Sequence, residues 1–303
     1  MRISVCIESD AVRAIAGKMN GGTLEVSAWY TLPLPPECVA GGVIVNEEPV
    51  REALARLREK CPDAKGGVDV VINSGSILVK KATVPDIAPE KLLRLVESEF
   101  ASMAEGRGEL LYDYRTLRGA GASNEILCAA AEKNFIGGYI ALFTGAGLKI
   151  RRIDAAASAL AGLAQTDLLR GRTSILCAAD GNTLNAVLFV DGAFAFFSST
   201  RLFSARGTEE SYAEIGRIVS SLMQFNASQR NGRAVGDVWF GGLTQAETAP
   251  GALVDTVAQS FSVTARVFGG SAQIKGTYGK GGAFPAAQYL CCVGDLYEGG
   301  REA

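Results

Sequence analysis

Protein chemistry leans most on imidazoles, thiols and clustered carboxylates, and the first of these is missing: the 303-residue chain contains no histidine. That removes every catalytic triad in which an imidazole takes the proton, and it strips a zinc centre of one of its two usual ligand types. The seven cysteines (Cys6, Cys38, Cys61, Cys128, Cys177, Cys291 and Cys292) are odd in number and scattered, with no CxxC pair. Most sit in apolar runs such as ILCAA, so they read as buried, reduced thiols of a cytosolic protein. Cys291 and Cys292 adjoin in an apolar helical stretch, where neighbours point apart, which favours core packing over redox chemistry. The doublets Lys80-Lys81 and Arg151-Arg152 read as solvated strand ends, with contact to anionic lipid or an acidic partner as the functional alternative. SQRNGRA at 228–234 reads as an exposed loop.

Composition narrows the classes further. Hydrophobic residues make up 48% and charged residues 20%, the balance of a folded globular chain rather than a disordered one. Lysine and arginine number 30 against 32 acidic residues. With no long basic run, a nucleic-acid partner is not expected. The start MRISVCIESD has neither the basic flank nor the apolar core of a signal peptide, and no uncharged apolar stretch reaches the ~18 residues of a membrane span. The chain itself is expected not to cross a membrane.

The elements that carry these residues repeat. RISVCIE, a second alternating run at 11–17 and TLEVSAWYTL after the turn at 18–22 predict an antiparallel meander. VNEEPVREALARLREKC has Val50, Leu54, Leu57 and Cys61 at helical spacing behind an acidic first turn. VDVVINSG then predicts a strand buried on both faces. The same order returns later as TSILCAA, NAVLFV, AFAFFSSTRL, a helix over about 208–226, and VGDVWF running into Gly241 and Gly242. Two β-β-β-α-β units imply an internal duplication, the alternative being two unrelated α/β domains. Between them, residues 77–152 read strand, helix, strand, strand, helix, strand, and predict a small α/β subdomain inserted in the first unit. Its first helix opens at Pro89 with Leu92, Leu95, Val96 and Phe100 on one side.

This layout, together with VVINSGSILVKKATVPDIAPEKLLRLVESEF, LLYDYRTL, CAAAEKNFIGGYIALFTGAGLKIRRIDAAASALA, VDGAFAFFSST and PAAQYLCCVGDLYEG, resembles the PilM family of pilus-assembly proteins. That family is similar to the cell-division protein FtsA and to actin-like ATPases. The resemblance covers nearly the whole chain, and its strongest piece is residues 125–164, where Asp154 and the small residues Ala155 to Ala157 open an interlobe helix. It implies an actin-like, ribonuclease H-like α/β fold of two duplicated lobes, with a first lobe at 1–76, the inserted α/β subdomain at 77–152, and an interlobe helix and second lobe at 153–303.

In that family two hairpin loops hold ATP, an Asp orienting magnesium-bound water and a Gly letting backbone N–H groups approach phosphate. The resemblance puts the first loop at Cys6, Glu8, Ser9 and Asp10, with Cys6 for the Asp and Glu8 for the Gly. The second falls at Ala178, Asp180, Gly181 and Asn182, with Ala178 and Asp180 in those places. Extra carboxylates facing a polyanion are repulsive, by about 4 kcal/mol per pair of unit charges ~4 Å apart at an effective dielectric near 20. No cofactor is therefore expected. ATP with magnesium remains the alternative, since Phe240, Gly241 and Gly242 match the adenosine-packing glycine pair, which otherwise reads as a tight turn after a buried strand.

The resemblance implies binding rather than catalysis, with no catalytic residue and no metal. The expected partner is the short cytosolic N-terminal tail of a PilN-like membrane protein, gripped between the first lobe and the insertion. The protein would then lie in the cytoplasm, peripheral at the inner membrane, within a pilus or secretion assembly platform. Candidates for the groove are Ile77, Val79 and Lys81, the helix residues Leu92, Leu95, Val96 and Phe100, and Tyr112 and Tyr114, with insertion-core packing as the competing role. The alternatives are an active actin-like ATPase or sugar kinase, and a nucleotide-free secretion-system relative.

Overall fold

A computed structural model describes residues 1–120, 123–230, 232–278 and 281–298. The chain opens with β1 (Arg2–Ile7), β2 (Ala11–Asn20) and β3 (Thr23–Pro33), then the short β4 (Val39–Ala40) and β5 (Val43–Ile44), α1 (Glu47–Lys60) and β6 (Val68–Ile72). There follow β7 (Leu78–Pro85), α2 (Pro89–Glu99), α3 (Ala101–Ala104), β8 (Leu110–Ala120) and β9 (Ser123–Glu132). Next come α4 (Lys133–Gly145), β10 (Ile150–Ala155) and α5 (Ala156–Gly162). The second unit runs β11 (Ser174–Asp180), β12 (Thr183–Val190), β13 (Ala193–Arg201), α6 (Glu209–Ser228), β14 (Asp237–Gly241), α7 (Leu253–Phe261) and β15 (Thr264–Val267). The described chain ends with β16 (Ile274–Tyr278), β17 (Gly281–Ala283) and α8 (Leu290–Glu298).

The duplication is visible in the sheets. One runs β10-β6-β1-β2-β3-β16-β17 and the other β13-β12-β11-β14-β15. In each, the first strand of the unit pairs antiparallel with the second and parallel with the strand after the helix. This is the two-lobe α/β layout expected of an actin-like fold. β6 is buried along its whole length, as a parallel strand covered on both faces must be.

Local chemistry agrees with these elements. Asn46 caps α1 by accepting from the Glu48 amide at 3.3 Å, with Glu47 and Glu48 in the first turn and Arg58 and Lys60 in the last, which complements the helix dipole. α6 starts in a reciprocal capping box between Thr208 and Ser211.

Three expectations need correcting. The insertion is shorter than 77–152, because Tyr139, Leu142 and Phe143 of α4 are buried in one cluster with Val50, Leu54 and Leu57 of α1, and β10 pairs in parallel with β6. The inserted subdomain is therefore β7 to β9 with α2 and α3, a three-stranded sheet of order β7-β9-β8. The second lobe does not run to the end of the chain, since β16 returns to pair with β3 (Ile274 opposite Leu24) and extends the first sheet. The basic doublets lie within β7 and β10 rather than at strand ends, and each cation has an acidic partner. Arg151 and Arg2 both hydrogen-bond the buried Asp69 carboxylate, Arg152 pairs with the buried Asp295, Lys80 with Glu99, and Lys81 with Glu125.

α5 is wholly buried between the lobes and packs against α8. The two backbones nearly touch: a Cβ at Gly294 would lie 1.9 Å from the Ala159 carbonyl oxygen. Cys291 and Cys292 are buried in this core with Cys6, in the packing role expected of them.

Candidate functional site

The two hairpin loops meet across the cleft. The β1–β2 turn is closed by the Glu8 amide donating to the Ala11 carbonyl at 2.9 Å, which aims the next amide at the opposite lobe. Ser9 donates to the Asp180 carboxylate twice, from its backbone N–H at 2.8 Å and its hydroxyl at 2.6 Å. The other Asp180 oxygen accepts from Asn73 Nδ2 at 3.1 Å, and Asn73 Oδ1 accepts from Asn185 Nδ2 at 2.6 Å. Gly181 has φ +50°, and a Cβ there would lie 2.6 Å from Ser9 Oγ.

Charge in this cluster is balanced locally. Arg13 grips both Asp10 oxygens, at 2.7 and 3.0 Å, and also pairs with Glu8. Burial pushes the Glu8 carboxyl up to about 8, with Arg13 pulling the other way and the charges of Asp180 and Asp10 adding to the rise. Asp180 is raised by burial and held back by its Ser9 donors. Burial works to raise Asp10 as well, but the hydrogen bonds and charge of Arg13 outweigh it, and Asp10 lies below the usual range. Oxygens of Glu8, Asp10 and Asp180 approach within 4.8 Å of one another, the spacing of a metal site. Those of Asp10 and Asp180 are engaged by Arg13, Ser9 and Asn73, so the cluster reads as a hydrogen-bond network anchored by the Arg13 guanidinium.

The two loops bond to one another rather than standing apart. Cys6 and Ala178, which the resemblance sets at the magnesium-orienting positions, are buried in the apolar core between the lobes. The Ser9 amide donates to Asp180. Arg206 spans the second lobe's loops, donating to the Gly181 carbonyl at 2.8 Å and the Gly242 carbonyl at 3.1 Å while paired with buried Glu247. Asn182 accepts the Leu202 amide at 2.6 Å. At the glycine pair, a Cβ on Gly241 would come 2.2 Å from Leu290 Cδ1 and one on Gly242 (φ +66°) 1.9 Å from the Ala179 oxygen. The Leu290 side chain and the Ala179 backbone thus occupy the space beside the pair.

The open space lies elsewhere. A cavity of about 1100 Å³ is bounded by Asp113 to Leu117 of β8, by Arg152 to Asp154 of β10, and by Val190 to Ala195 at the β12–β13 turn. It joins three bodies: the insertion, the first lobe with α5, and the second lobe. Arg115 crosses it to donate to the Ser158 carbonyl at 2.6 Å, and Ser158 in turn donates to Asp154 at 3.1 Å. Burial raises Asp154, with Arg152 opposing.

Of the groove candidates, Lys81 and Tyr114 line this cavity. Ile77 packs against the first lobe's core and Val79 against the core between the lobes. Leu92, Val96 and Phe100 are buried in the insertion's own core, where Phe100 meets Tyr112 with ring centroids 6.3 Å apart. Leu95 is not on the buried side with them but 37% exposed. Sequence reasoning missed Asp113, Arg115, Arg170 and the β12–β13 turn. For the first two the signal was adjacency, since they flank Tyr114, a groove candidate that lines the same cavity.

Residues 4–171 match the family described as "Type IV pilus assembly protein PilM". The chain belongs to that PilM family. Among solved structures it is similar to the "PilM-PilN type IV pilus biogenesis complex", with TM-score 0.71 and 13% identity over 99% of this chain and 98% of that one. It is also similar to a Bacteroides thetaiotaomicron protein with an actin-like ATPase fold and unknown function, with TM-score 0.56 and 12% identity over 97% of this chain and 95% of that one. No curated protein matches the sequence. Membership and fold together make this PilM-family chain an actin-like protein of type IV pilus assembly. Among its described residues no helix is long and apolar enough to cross a membrane.

Proposed function

We propose that this protein is a scaffold that holds the cytosolic N-terminal tail of a PilN-like membrane protein in the cavity between the insertion and the lobes, without turning over ATP. The observation that supports the reading is a contrast: Ser9 and Asp180 bond directly across the space between the two hairpin loops, while about 1100 Å³ stands open beside the insertion. β8 is an edge strand of its sheet, so an extended tail can add to it by main-chain hydrogen bonds with its side chains directed into the cavity. Tail capture would keep the protein at the cytoplasmic face of the inner membrane and link the membrane platform to the cytosolic pilus motors.

Titration of a synthetic tail peptide into the protein tests the reading. Saturable binding that Arg115→Glu weakens about tenfold supports it, a loss of roughly 1.4 kcal/mol. Absence of binding to the wild-type protein overturns the docking role. Titration with Mg-ATP is expected to give no binding heat, and micromolar affinity with turnover would overturn the scaffold reading.

A further inference from the structure

The cavity is a shared space. Its walls belong to the insertion and first lobe on one side and to Val190 to Ala195, Arg170 and Gly171 on the other. Any rotation of one lobe against the other about α5 and α8 changes its width. What fixes that rotation is therefore part of the binding site, wherever it lies.

One set of polar contacts is placed to do so. Ser9 and Asn73 stand at the ends of β1 and β6 in the first lobe, and Asp180 and Asn185 on β11 and β12 in the second. The chain of hydrogen bonds Ser9–Asp180–Asn73–Asn185 crosses the cleft three times. Asn73, Asp180 and Asn185 are only 5%, 9% and 1% exposed, so water competes little for these bonds and breaking one strands its partner. In a nucleotide-dependent relative of this fold, a phosphate lying between the two hairpins would accept from both lobes. Here a carboxylate carried by the second lobe itself accepts the Ser9 amide and hydroxyl and the Asn73 amide. None of the four residues lines the cavity.

We infer that Asp180 is a built-in replacement for a bridging phosphate: it latches the lobes together through Ser9 and Asn73 and so sets the width of the tail-binding cavity from a distance. Ser9, Asn73, Asp180 and Asn185 are thus positioning residues for partner binding, and the closed arrangement needs no ligand to maintain it. The inference rests on the docking reading for its consequence, while the latch can be measured without a tail.

The test compares Asp180→Ala and Asn73→Ala with wild type by tail-peptide titration and by hydrogen exchange of α5, α8 and residues 190–195. Expected are roughly tenfold weaker tail binding, within the 5- to 150-fold range of coupled sites, and faster exchange in all three segments. Ser9→Ala, which removes a single hydroxyl bond, guards against failure of the buried variants to fold and should show the same changes in smaller measure. Leu222→Ala, which costs stability by opening a cavity in the second lobe's own core, should leave tail affinity at the wild-type value. Variants that bind the tail as wild type does, or exchange that does not change, would overturn the inference. Should the wild-type protein bind no tail, the docking reading fails, and the exchange data alone decide whether the latch exists.

Discussion

Asp69 sits in the middle of a strand whose every residue is buried, and a lone carboxylate there would be costly to desolvate. Two guanidinium groups remove the problem: Arg2 reaches it at 2.7 Å from β1 and Arg151 at 2.8 Å from β10, so the three strands β10, β6 and β1 at one end of the sheet are tied by one anion. Losing one cation leaves the other. Arg151→Ala is expected to cost about 1 kcal/mol and the double change Arg2→Ala with Arg151→Ala more than the sum, read by urea denaturation. Glu8 supplies a pH dependence. Its folded value of about 8 lies above its ordinary 4.5, so the folded state holds an extra proton between those limits. Stability from this group is fully present below about 4.5 and is lost as pH rises toward 8. Glu8→Gln should flatten the melting temperature across that window, and an unchanged slope would show that another group carries the dependence.

At the scale of elements, α5 and α8 cross with their backbones in close approach. Both helices are short and rich in small residues, and the Gly294 contact with Ala159 leaves no room for a methyl group. Gly294→Ala should destabilise by about 1–3 kcal/mol through overpacking, measured by thermal unfolding, while Gly137→Ala on the open side of α4 should not. The elements themselves were largely legible in the sequence: α1 announced itself by its period and acidic first turn, and the first meander by its turn at 18–22. Their allegiance was not. α4 reads as an insertion helix because it follows β9, and only its packing against α1 shows that it belongs to the first lobe. Glu8 and Asp180 could be read as loop residues that disfavour phosphate, but the bond between Ser9 and Asp180 joins positions 171 apart, and no local pattern encodes such a pair.

For the whole molecule, the matching sheet orders of the two lobes are the firmest part of what could be foreseen, because each follows from a repeated βββαβ run in which consecutive strands pair as neighbours. The return of the chain to the first lobe could not be foreseen, since β16 is a brief run with no sign of a partner some 250 residues earlier. A chain ending at Val267 should consequently fail to give soluble protein. It would lack β16, β17 and α8, and with them Leu290, Val293 and Leu296 of the core between the lobes.

That late return also orders events on the ribosome. β3 is an inner strand of the finished sheet, yet its outer edge can find no partner until residues 274–276 have been made. Throughout synthesis of the insertion and the second lobe, the nascent first lobe carries an unprotected edge strand, the kind of surface on which chains recruit one another. The vulnerable species is the nearly complete polypeptide, and holdase chaperones should be found on long translation intermediates more than on the released product.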